Sequence, residues 1–236
     1  MNITRAFSIL FEDRDWLNKL VIVAIVTLVT AILSPALVGL AGWAMLLGYM
    51  IDIIRNVRAG SPTPIPQWGD FGRYLSNGAP VLIAFIVYSI PTMLLGCCSW
   101  FLLQSSGGTS LAGGSVALGV GCCVFPMLLA YNILTQPMLV LGMGRYTDDP
   151  RIEVFFDFNG LFELMRTNTD AVLQWLIAVV IADLIFVILA VIPCLGWVVG
   201  LALLVPVHGI LAGQFASRVL GGKPKNEPRR APAPRR

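Results

Sequence analysis

Two ionisable side chains lie deep inside long apolar stretches of the sequence. Asp183 falls within the apolar residues 171–192, and His208 falls within the apolar residues 195–217. The two residues stand about 11 positions before and about 14 positions after Cys194, so two antiparallel helices that turn there would hold them at depths about 5 Å apart. Side chains at this separation are able to meet.

The pair of Asp183 and His208 has two interpretations. An imidazole beside a carboxyl group relays a proton or receives a cation, and a charge inside hydrocarbon costs about 2.5 kcal/mol or more, so it is a natural mark of function. The structural interpretation is that Asp183 stays neutral and makes one hydrogen bond to His208 or to a backbone carbonyl group. Both interpretations make these two residues the first candidates for an intramembrane site.

A second group of polar side chains lies in the apolar runs near the middle of the sequence. These side chains either line a polar cavity or form hydrogen bonds between neighbouring helices, each contributing about 0.6 kcal/mol. The members are Tyr88, Ser89, Tyr131, Asn132, Thr135 and Gln136. The candidate intramembrane polar site therefore consists of Asp183, His208, Asn132, Gln136 and Tyr88.

Four of the five cysteines form two adjacent pairs, Cys97 with Cys98 and Cys122 with Cys123. Four thiolates suit a soft metal ion. Adjacent residues of a helix point about 100° apart, however, so the four side chains do not easily converge. The other interpretation is that these cysteines are small apolar packing residues, and on that basis we expect no metal and no cofactor.

The sequence offers little for catalysis. It contains no G-x-x-x-x-G-K-[ST], no H-E-x-x-H and no G-x-S-x-G motif. A membrane hydrolase that uses two aspartates needs a second acid within the spans, and we take Asp183 to be the only one there. An enzyme would also require a cytoplasmic cleft that gathers Asp148, Asp149, Glu153 and Asp157, whereas we expect these residues to be solvated. We therefore expect a protein that is not an enzyme.

The composition and the apolar runs predict a polytopic membrane protein. Hydrophobic residues make up 57% of the 236 residues, charged residues make up 12%, and the mean hydropathy is +0.80. Stretches of about 20 residues without charge match a hydrocarbon layer about 30 Å thick. We expect an all-α bundle of six transmembrane helices in three hairpins, with spans near residues 17–33, 36–54, 79–104, 112–136, 171–192 and 195–217.

The positions of the basic residues predict the orientation of this bundle. All 16 lysines and arginines lie before or beside span one, between spans two and three, between spans four and five, or after span six. The three remaining connections carry no charge. Because positive charge is retained on the inner side of a membrane, we expect both termini in the cytoplasm.

The chain divides into a membrane domain of residues 1–222 and a tail of residues 223–236. Three segments of the domain mix aromatic residues with charges, near residues 2–18, 66–78 and 152–170, and we expect them to be amphipathic segments in the cytoplasmic headgroup layer. The tail is basic and rich in proline, so we expect disorder. It either enforces the topology or binds anionic lipid at about 1 kcal/mol per basic residue, through Lys223, Lys225, Arg229, Arg230, Arg235 and Arg236.

Glycines recur at four-residue spacing in the last span. Gly196 with Gly200, and Gly209 with Gly213, each place two glycines on one face of a helix. Such faces let helices approach closely. They predict packing within the bundle, with a homodimer seam as the alternative.

Four segments of the chain carry a resemblance to a known family. They are FSILFEDRDWLNKLV, LGYMIDIIRNVRAG, PIPQWGDFGRYLSNGAPVLIAFIVYSIP and FDFNGLFELMRTN. In these segments the chain resembles the domain-of-unknown-function 4013 family of prokaryotic membrane proteins, over nearly its whole length. The resemblance implies a helical membrane fold in a bacterial or archaeal plasma (inner) membrane, and it implies no activity and no catalytic residues.

Two functions are consistent with these observations. The first is a non-enzymatic structural or accessory protein that engages lipids or a membrane complex, with a membrane-protein partner or a second copy of itself and without nucleic acid. The alternative is a small transporter or channel with Asp183 and His208 on a proton or cation pathway. The two differ in hydration, because a pathway needs a hydrated cavity at Asp183 and an accessory protein needs only a packed interior.

Overall fold

The helices begin and end close to the prolines, glycines and charges that bound the apolar runs. The computed structural model describes residue 8 and residues 10–12, 15–34, 37–105, 111–193 and 195–221. The helices are α1 (Trp16–Leu33), α2 (Leu37–Arg58), α3 (Phe71–Ser105), α4 (Leu111–Gly119), α5 (Phe125–Tyr146), α6 (Phe158–Thr167), α7 (Thr169–Ala190) and α8 (Leu195–Leu220). A π-helical turn, Val120–Val124, joins α4 to α5, and a 3₁₀ helix spans Ile152–Phe155. No β-strand occurs in the described part of the chain.

The predicted all-α class with six membrane-spanning helices is confirmed. In the described residues, the stretches long and apolar enough to cross a membrane are Trp16–Leu33, Val38–Arg58, Phe71–Ser105, Ala117–Tyr146, Thr169–Ala190 and Gly196–Leu220. Helix α3 has 35 residues, about 52 Å, and therefore exceeds a hydrocarbon layer by about 20 Å. Residues 71–78 form the first turns of α3, so the predicted interfacial segment 66–78 is not a separate helix.

The fourth span is interrupted at a proline. Pro126 has no backbone N–H, and its ring clashes with the carbonyl group of Cys122 in a regular α-helix. The chain accommodates the proline with the π-helical turn, after which α5 continues to Tyr146 rather than ending near Gln136. The fourth span is therefore a composite of α4, this turn and α5.

Helices α2 and α8 form the centre of the bundle. Of their most apolar stretches, 56% and 61% of the residues are buried, against 17% for α3. A Cβ atom on Gly48 of α2 would lie 1.9 Å from the carbonyl oxygen of Tyr74, and one on Gly78 of α3 would lie 1.7 Å from that of Ala44. Without side chains at these two positions, the backbones of α2 and α3 come into direct contact.

Three of the four spaced glycines in α8 pack inside the bundle, and a Cβ atom on the first of them, Gly196, would lie 1.9 Å from the carbonyl oxygen of Leu189 in α7. A Cβ atom on Gly209 would lie 3.1 Å from Ile53, and one on Gly213 would lie 2.6 Å from Val57, both in α2. This face is occupied by α2, so it is not available as a homodimer seam. At Gly200, by contrast, no described atom lies within 4 Å of the place of a Cβ atom.

Charged side chains gather at one end of the bundle. Lys19 at the start of α1 donates to the carbonyl oxygen of Ile65 at 3.0 Å, and Arg73 at the start of α3 contacts Asp52 near the end of α2 at 2.7 Å. Arg58 at the end of α2 reaches the ends of α5 and α8. These helix ends thus share one side of the bundle, as expected if the basic residues face one side of a membrane.

The segment of residues 152–170 contains a separate amphipathic helix, α6. It buries Leu161 and Met165 against the bundle and exposes Phe158 and Phe162. An exposed aromatic face on a short helix beside the charged end of the bundle fits a position in the headgroup layer.

Some predictions fall on residues outside the described part of the chain. They concern the tail of residues 223–236 with its lipid-binding basic side chains, most of the first interfacial segment at residues 2–18, and Cys194. These remain predictions.

Candidate functional site

The structure brings Asp183 of α7 and His208 of α8 together. Nε2 of His208 lies 3.1 Å from Oδ1 of Asp183, and Nδ1 of His208 lies 2.8 Å from the carbonyl oxygen of Leu204, one turn earlier in α8. The ring of Phe186 in α7 stacks on the imidazole, with ring centroids 5.8 Å apart. The imidazole is thus held at both nitrogens and on one face.

The pair lies well inside its two helices. At 1.5 Å per residue, Asp183 is about 21 Å from the start of α7 and about 10 Å from its end. His208 is about 20 Å from the start of α8 and about 18 Å from its end. In a bilayer that α7 and α8 span, both side chains lie within the hydrocarbon.

The two hydrogen bonds of His208 determine how many protons the pair holds. The carbonyl oxygen of Leu204 only accepts, so Nδ1 carries a proton and donates it there. The contact between Nε2 and Asp183 then needs one further proton, either on Nε2 or on the carboxyl group. In both cases the pair shares one proton and has no net charge, which suits a site inside hydrocarbon.

The pair faces outward from the bundle. The side chain of Asp183 is 54% exposed and that of His208 is 24% exposed. On α7 the neighbouring Val180, Leu184 and Val187 are also exposed, by 57% to 64%. Oδ2 of Asp183 has no hydrogen-bond partner among the described residues. The carboxyl group therefore lies on an apolar outer surface rather than in an interior cavity.

Tyr88 lies apart from this pair and joins other elements. Its hydroxyl group donates to the carbonyl oxygen of Phe155 at 2.8 Å, and the hydroxyl group of Tyr131 donates to the carbonyl oxygen of Tyr88 at 2.8 Å. These bonds connect α3, α5 and the 3₁₀ helix. They match the interhelical interpretation of this polar group rather than a cavity lining.

Asn132 and Gln136 lie with Thr135 on one face of α5, at the i, i+3, i+4 spacing. Asn132 donates to the carbonyl oxygen of Leu128 at 2.8 Å, and Thr135 donates to that of Tyr131 at 2.9 Å. Gln136 is exposed, and its amide has no partner within the described residues. Helix α5 therefore presents amide groups on an outer face of the span.

The paired cysteines lie on the outer surface. Cys97, Cys98, Cys122 and Cys123 are free and exposed, the last two in the π-helical turn. Over the described ranges, no group of three His, Cys, Asp or Glu side chains is arranged to hold a metal ion. These cysteines contribute outer apolar surface rather than interior packing.

Sequence reasoning missed a second acid within a span. Asp52 lies in the candidate span Val38–Arg58, so the statement that Asp183 is the only acid of the spans is wrong. The carboxyl group of Asp52 is 7% exposed and accepts from Arg55 and Arg73, each at 2.7 Å. The i, i+3 spacing of Asp52 and Arg55 was the available signal. The carboxyl group of Asp52 is thus engaged by two arginines.

Arg58 was also missed, and it connects three helices. Its side chain is only 2% exposed. Nη1 donates to the carbonyl oxygen of Gly144 at 2.8 Å, to Oγ1 of Thr147 at 2.6 Å and to Oδ1 of Asp148 at 2.9 Å, and Nη2 donates to the carbonyl oxygen of Gly221 at 3.2 Å. Carbonyl groups at helix C-termini carry partial negative charge. One guanidinium therefore ties the ends of α5 and α8 to the end of α2.

The acidic residues between α5 and α6 face different arginines instead of one another. Asp149 pairs with Arg151, and Asp157 pairs with Arg145 at 2.7 Å. The hydrogen bond from Arg151 lowers the pKa of Asp149. The hydrogen bond from Arg145, followed by that from the backbone N–H of Gly160, lowers the pKa of Asp157. These ion pairs differ from the converging acids of a catalytic cleft.

The six apolar helices, with ion pairs gathered at one end, define a polytopic α-helical membrane protein. Within that class, the chain belongs to the family described as "protein of unknown function (DUF4013)", whose sequence model matches residues 31–195. The resemblance to this family is thereby confirmed over residues 31–195, and the first of the four segments, residues 7–21, lies before the matched region. Asp183 lies inside the matched region, and His208 lies beyond it. No curated protein and no solved structure matches the chain.

Proposed function

We propose that this protein is a non-enzymatic accessory component of a prokaryotic plasma membrane that assembles with other transmembrane helices. The observation that carries the proposal is the outward position of Asp183 and His208 on an apolar face of α7 and α8. We propose that both termini are in the cytoplasm, because the basic side chains that anchor α1, α2 and α3 in the described part of the chain lie at one end of the bundle and positive charge is retained on the inner side.

A polar group on a lipid-facing surface is costly in free energy. An aspartate at the centre of a transmembrane helix costs about 2.5 to 3.5 kcal/mol. The bond to His208 satisfies Oδ1 and leaves Oδ2 of Asp183 facing hydrocarbon, where no water is available to satisfy it. A partner helix that offers a hydrogen-bond donor at this depth removes the cost. The exposed face therefore favours docking over free contact with lipid.

The alternative function, a small transporter or channel, has one observation in its favour. The Asp183 and His208 pair shares a single proton, which is what a proton relay needs. A pathway through one chain, however, needs an interior hydrated cavity, and the carboxyl group is 54% exposed on the outer face. A pathway between two chains would itself need a partner chain. Assembly is therefore required by both functions in that case, and we propose it first.

Photo-crosslinking in native membranes tests the docking face. A photoreactive amino acid at Val187, one turn from Asp183, is expected to give a cross-linked product of defined mass, which mass spectrometry identifies. The same probe at Ile25 of α1, which is 56% exposed, is the matched control. The assignment of the docking face is wrong if the probe at Val187 gives no cross-linked product, or if the probe at Ile25 gives the same product as the probe at Val187.

Asp183→Asn separates the two functions. The introduced amide has the shape of the carboxyl group, and its N–H donates to Nε2 of a neutral His208, so the contact remains while the exchangeable proton is lost. Assembly is expected to survive this substitution. A proton flux through liposomes that the substitution abolishes would instead favour the transporter.

We also propose that the tail, residues 223–236, adds a contact with anionic lipid. Six basic side chains against Glu227 contribute about 1 kcal/mol each near such a surface. Truncation after Gly222 is expected to reduce the anionic lipid that copurifies with the protein, measured by mass spectrometry. Unchanged lipid content would leave topology enforcement as the role of the tail.

A further inference from the structure

A second unsatisfied polar surface lies on α5. Gln136 is exposed without a partner for its amide among the described residues, and Asn132 uses one N–H on its own helix. Because an amide nitrogen carries two N–H groups, Asn132 retains one donor and Gln136 retains two. Asp183 on α7 offers an acceptor, Oδ2. The donor face of α5 and the acceptor face of α7 and α8 are therefore complementary.

The donor and acceptor faces lie at similar depths. Arg58 donates to carbonyl groups at the ends of both α5 and α8, so these groups mark one level in the bundle. Counted from them, Gln136 lies about 12 Å into the span, Asn132 about 18 Å and His208 about 20 Å. Side chains tilt toward the N-terminus of their helix. Helix α5 ends at the level of Arg58, so its side chains lean away from that level. Helix α7 begins near that level, so Asp183 leans toward it. The tilt brings the two groups closer in depth.

We infer that the partner at α7 and α8 is a second copy of this chain, which donates to Asp183 from Asn132 and Gln136. The inference rests on the function proposed above. Two copies inserted in the same direction keep the depth of every residue, so the donor face of one meets the acceptor face of the next. One kind of contact thereby accounts for both polar faces: each contact satisfies the donor face of one copy and the acceptor face of the other, and a closed ring of copies satisfies both faces of every chain, whereas an unrelated partner would satisfy one. The interface joins two different faces and is therefore heterologous.

Gly200 provides room for a close approach on the acceptor face. It precedes Leu204 and His208 by one and two intervals of four residues, which places it on the same side of α8. No described atom lies within 4 Å of the place of a Cβ atom at Gly200. A helix of the second copy is thus able to come near the backbone beside the polar pair.

Complementation between two variants tests this inference in lipid nanodiscs. Asp183→Leu removes the acceptor, and Asn132→Leu combined with Gln136→Leu removes the donors. Each variant is expressed in two forms that carry different affinity tags. The amount of one form that copurifies with the other is expected to fall by about tenfold relative to wild type. A mixture of the two variants is expected to regain association, because one donor face and one acceptor face remain intact. Gln104→Leu, at an exposed position near the end of α3, is the control and is expected to associate like wild type.

The outcomes distinguish this inference from the proposed function. Loss in both variants without recovery in the mixture overturns the assigned contact. A cross-link from Val187 to a different protein, without association of copies, overturns the inference and supports the proposed function. Absence of any partner at Val187 overturns both. Asp183→Asn retains an acceptor and is expected to associate like wild type, so its failure to associate also contradicts the inference.

Discussion

Replacing Asp183 by leucine is expected to stabilise the single chain in a membrane while it weakens assembly. At the centre of a transmembrane helix, aspartate costs about 3 kcal/mol and leucine gains about 0.5 kcal/mol, so the exchange favours the membrane by about 3.5 kcal/mol. The lost hydrogen bond to His208 opposes this by about 0.6 kcal/mol, and by about 1.7 kcal/mol at most. The net stabilisation therefore ranges from about 2 to about 3 kcal/mol. Because the shared proton keeps the native pair neutral, we take the lower value of this range, about 2 kcal/mol.

The measurement is reversible unfolding in mixed micelles of a mild detergent and sodium dodecyl sulfate, at a dilution where copies do not associate. Asp183→Leu should unfold at a higher fraction of dodecyl sulfate than the wild type. Asp183→Asn should remain near the wild type, because its amide retains the bond to His208. If Asp183→Leu unfolds more easily than the wild type, the pair stabilises the single chain, and the exposed carboxyl group is no longer evidence for a partner.

Three further predictions use the same unfolding assay or amide exchange. Arg58→Ala should destabilise the chain by about 3 kcal/mol, because a carboxylate and two helix ends lose their buried cation; an unchanged midpoint would contradict its joining role. Gly48→Ala should lower the free energy of unfolding by about 1 to 3 kcal/mol, since the added Cβ would lie 1.9 Å from a carbonyl oxygen. Gly96→Ala is the control and should leave the free energy of unfolding unchanged, because no described atom lies near the place of its Cβ. Asp157 has a lowered pKa, so its stabilisation is present above the ordinary aspartate pKa of about 4 and is lost as the pH falls through the lowered value. The protection of the Gly160 amide against exchange should therefore fall only at acid pH, and should fall at neutral pH in Asp157→Ala. Protection that stays the same in both experiments would contradict the stabilising role of the hydrogen bond from Gly160 to Asp157.

The spans could be located from the sequence because charge and length alone decide which segments enter hydrocarbon. The absence of lysine and arginine from residues 171–192 and 195–217 sufficed to find α7 and α8. The extension of α3 to Phe71 did not follow, since a segment that mixes aromatic and charged residues suits either a projecting helix end or a separate interfacial helix. The π-helical turn was also not predicted, because a proline such as Pro126 is compatible with a kink, a break or a bulge in the helix.

The depth of the candidate site was predictable, and its direction was not. Counting residues along two helices placed Asp183 and His208 at depths about 5 Å apart, close enough for their side chains to meet. The direction of a side chain must be inferred from amphipathicity, and α7 is almost equally apolar on every side. In water, the outer face of a helix is recognised by its polar residues. In lipid, the outer face is as apolar as the inner face, so the sequence does not distinguish the two. The partners of Arg58 were not predicted for another reason, because two of the four are backbone carbonyl groups, which no residue type encodes.

The contacts of α7 bear on the proposed docking, because they leave one side of this helix exposed. Helices α2 and α8 are held by close glycine contacts and by Arg58, so the packing of the centre is complete within the single chain. Helix α7 is attached mainly to α8, through Trp175 stacked on Phe215 at 5.3 Å and through the hydrogen bond between His208 and Asp183. Its position is thus set from one side while the other side stays exposed. A partner helix meets a preorganised face, so association costs mainly the freedom of the two chains and a few interfacial side chains. For this reason we expect a small number of polar contacts at matching depth to decide whether two chains associate.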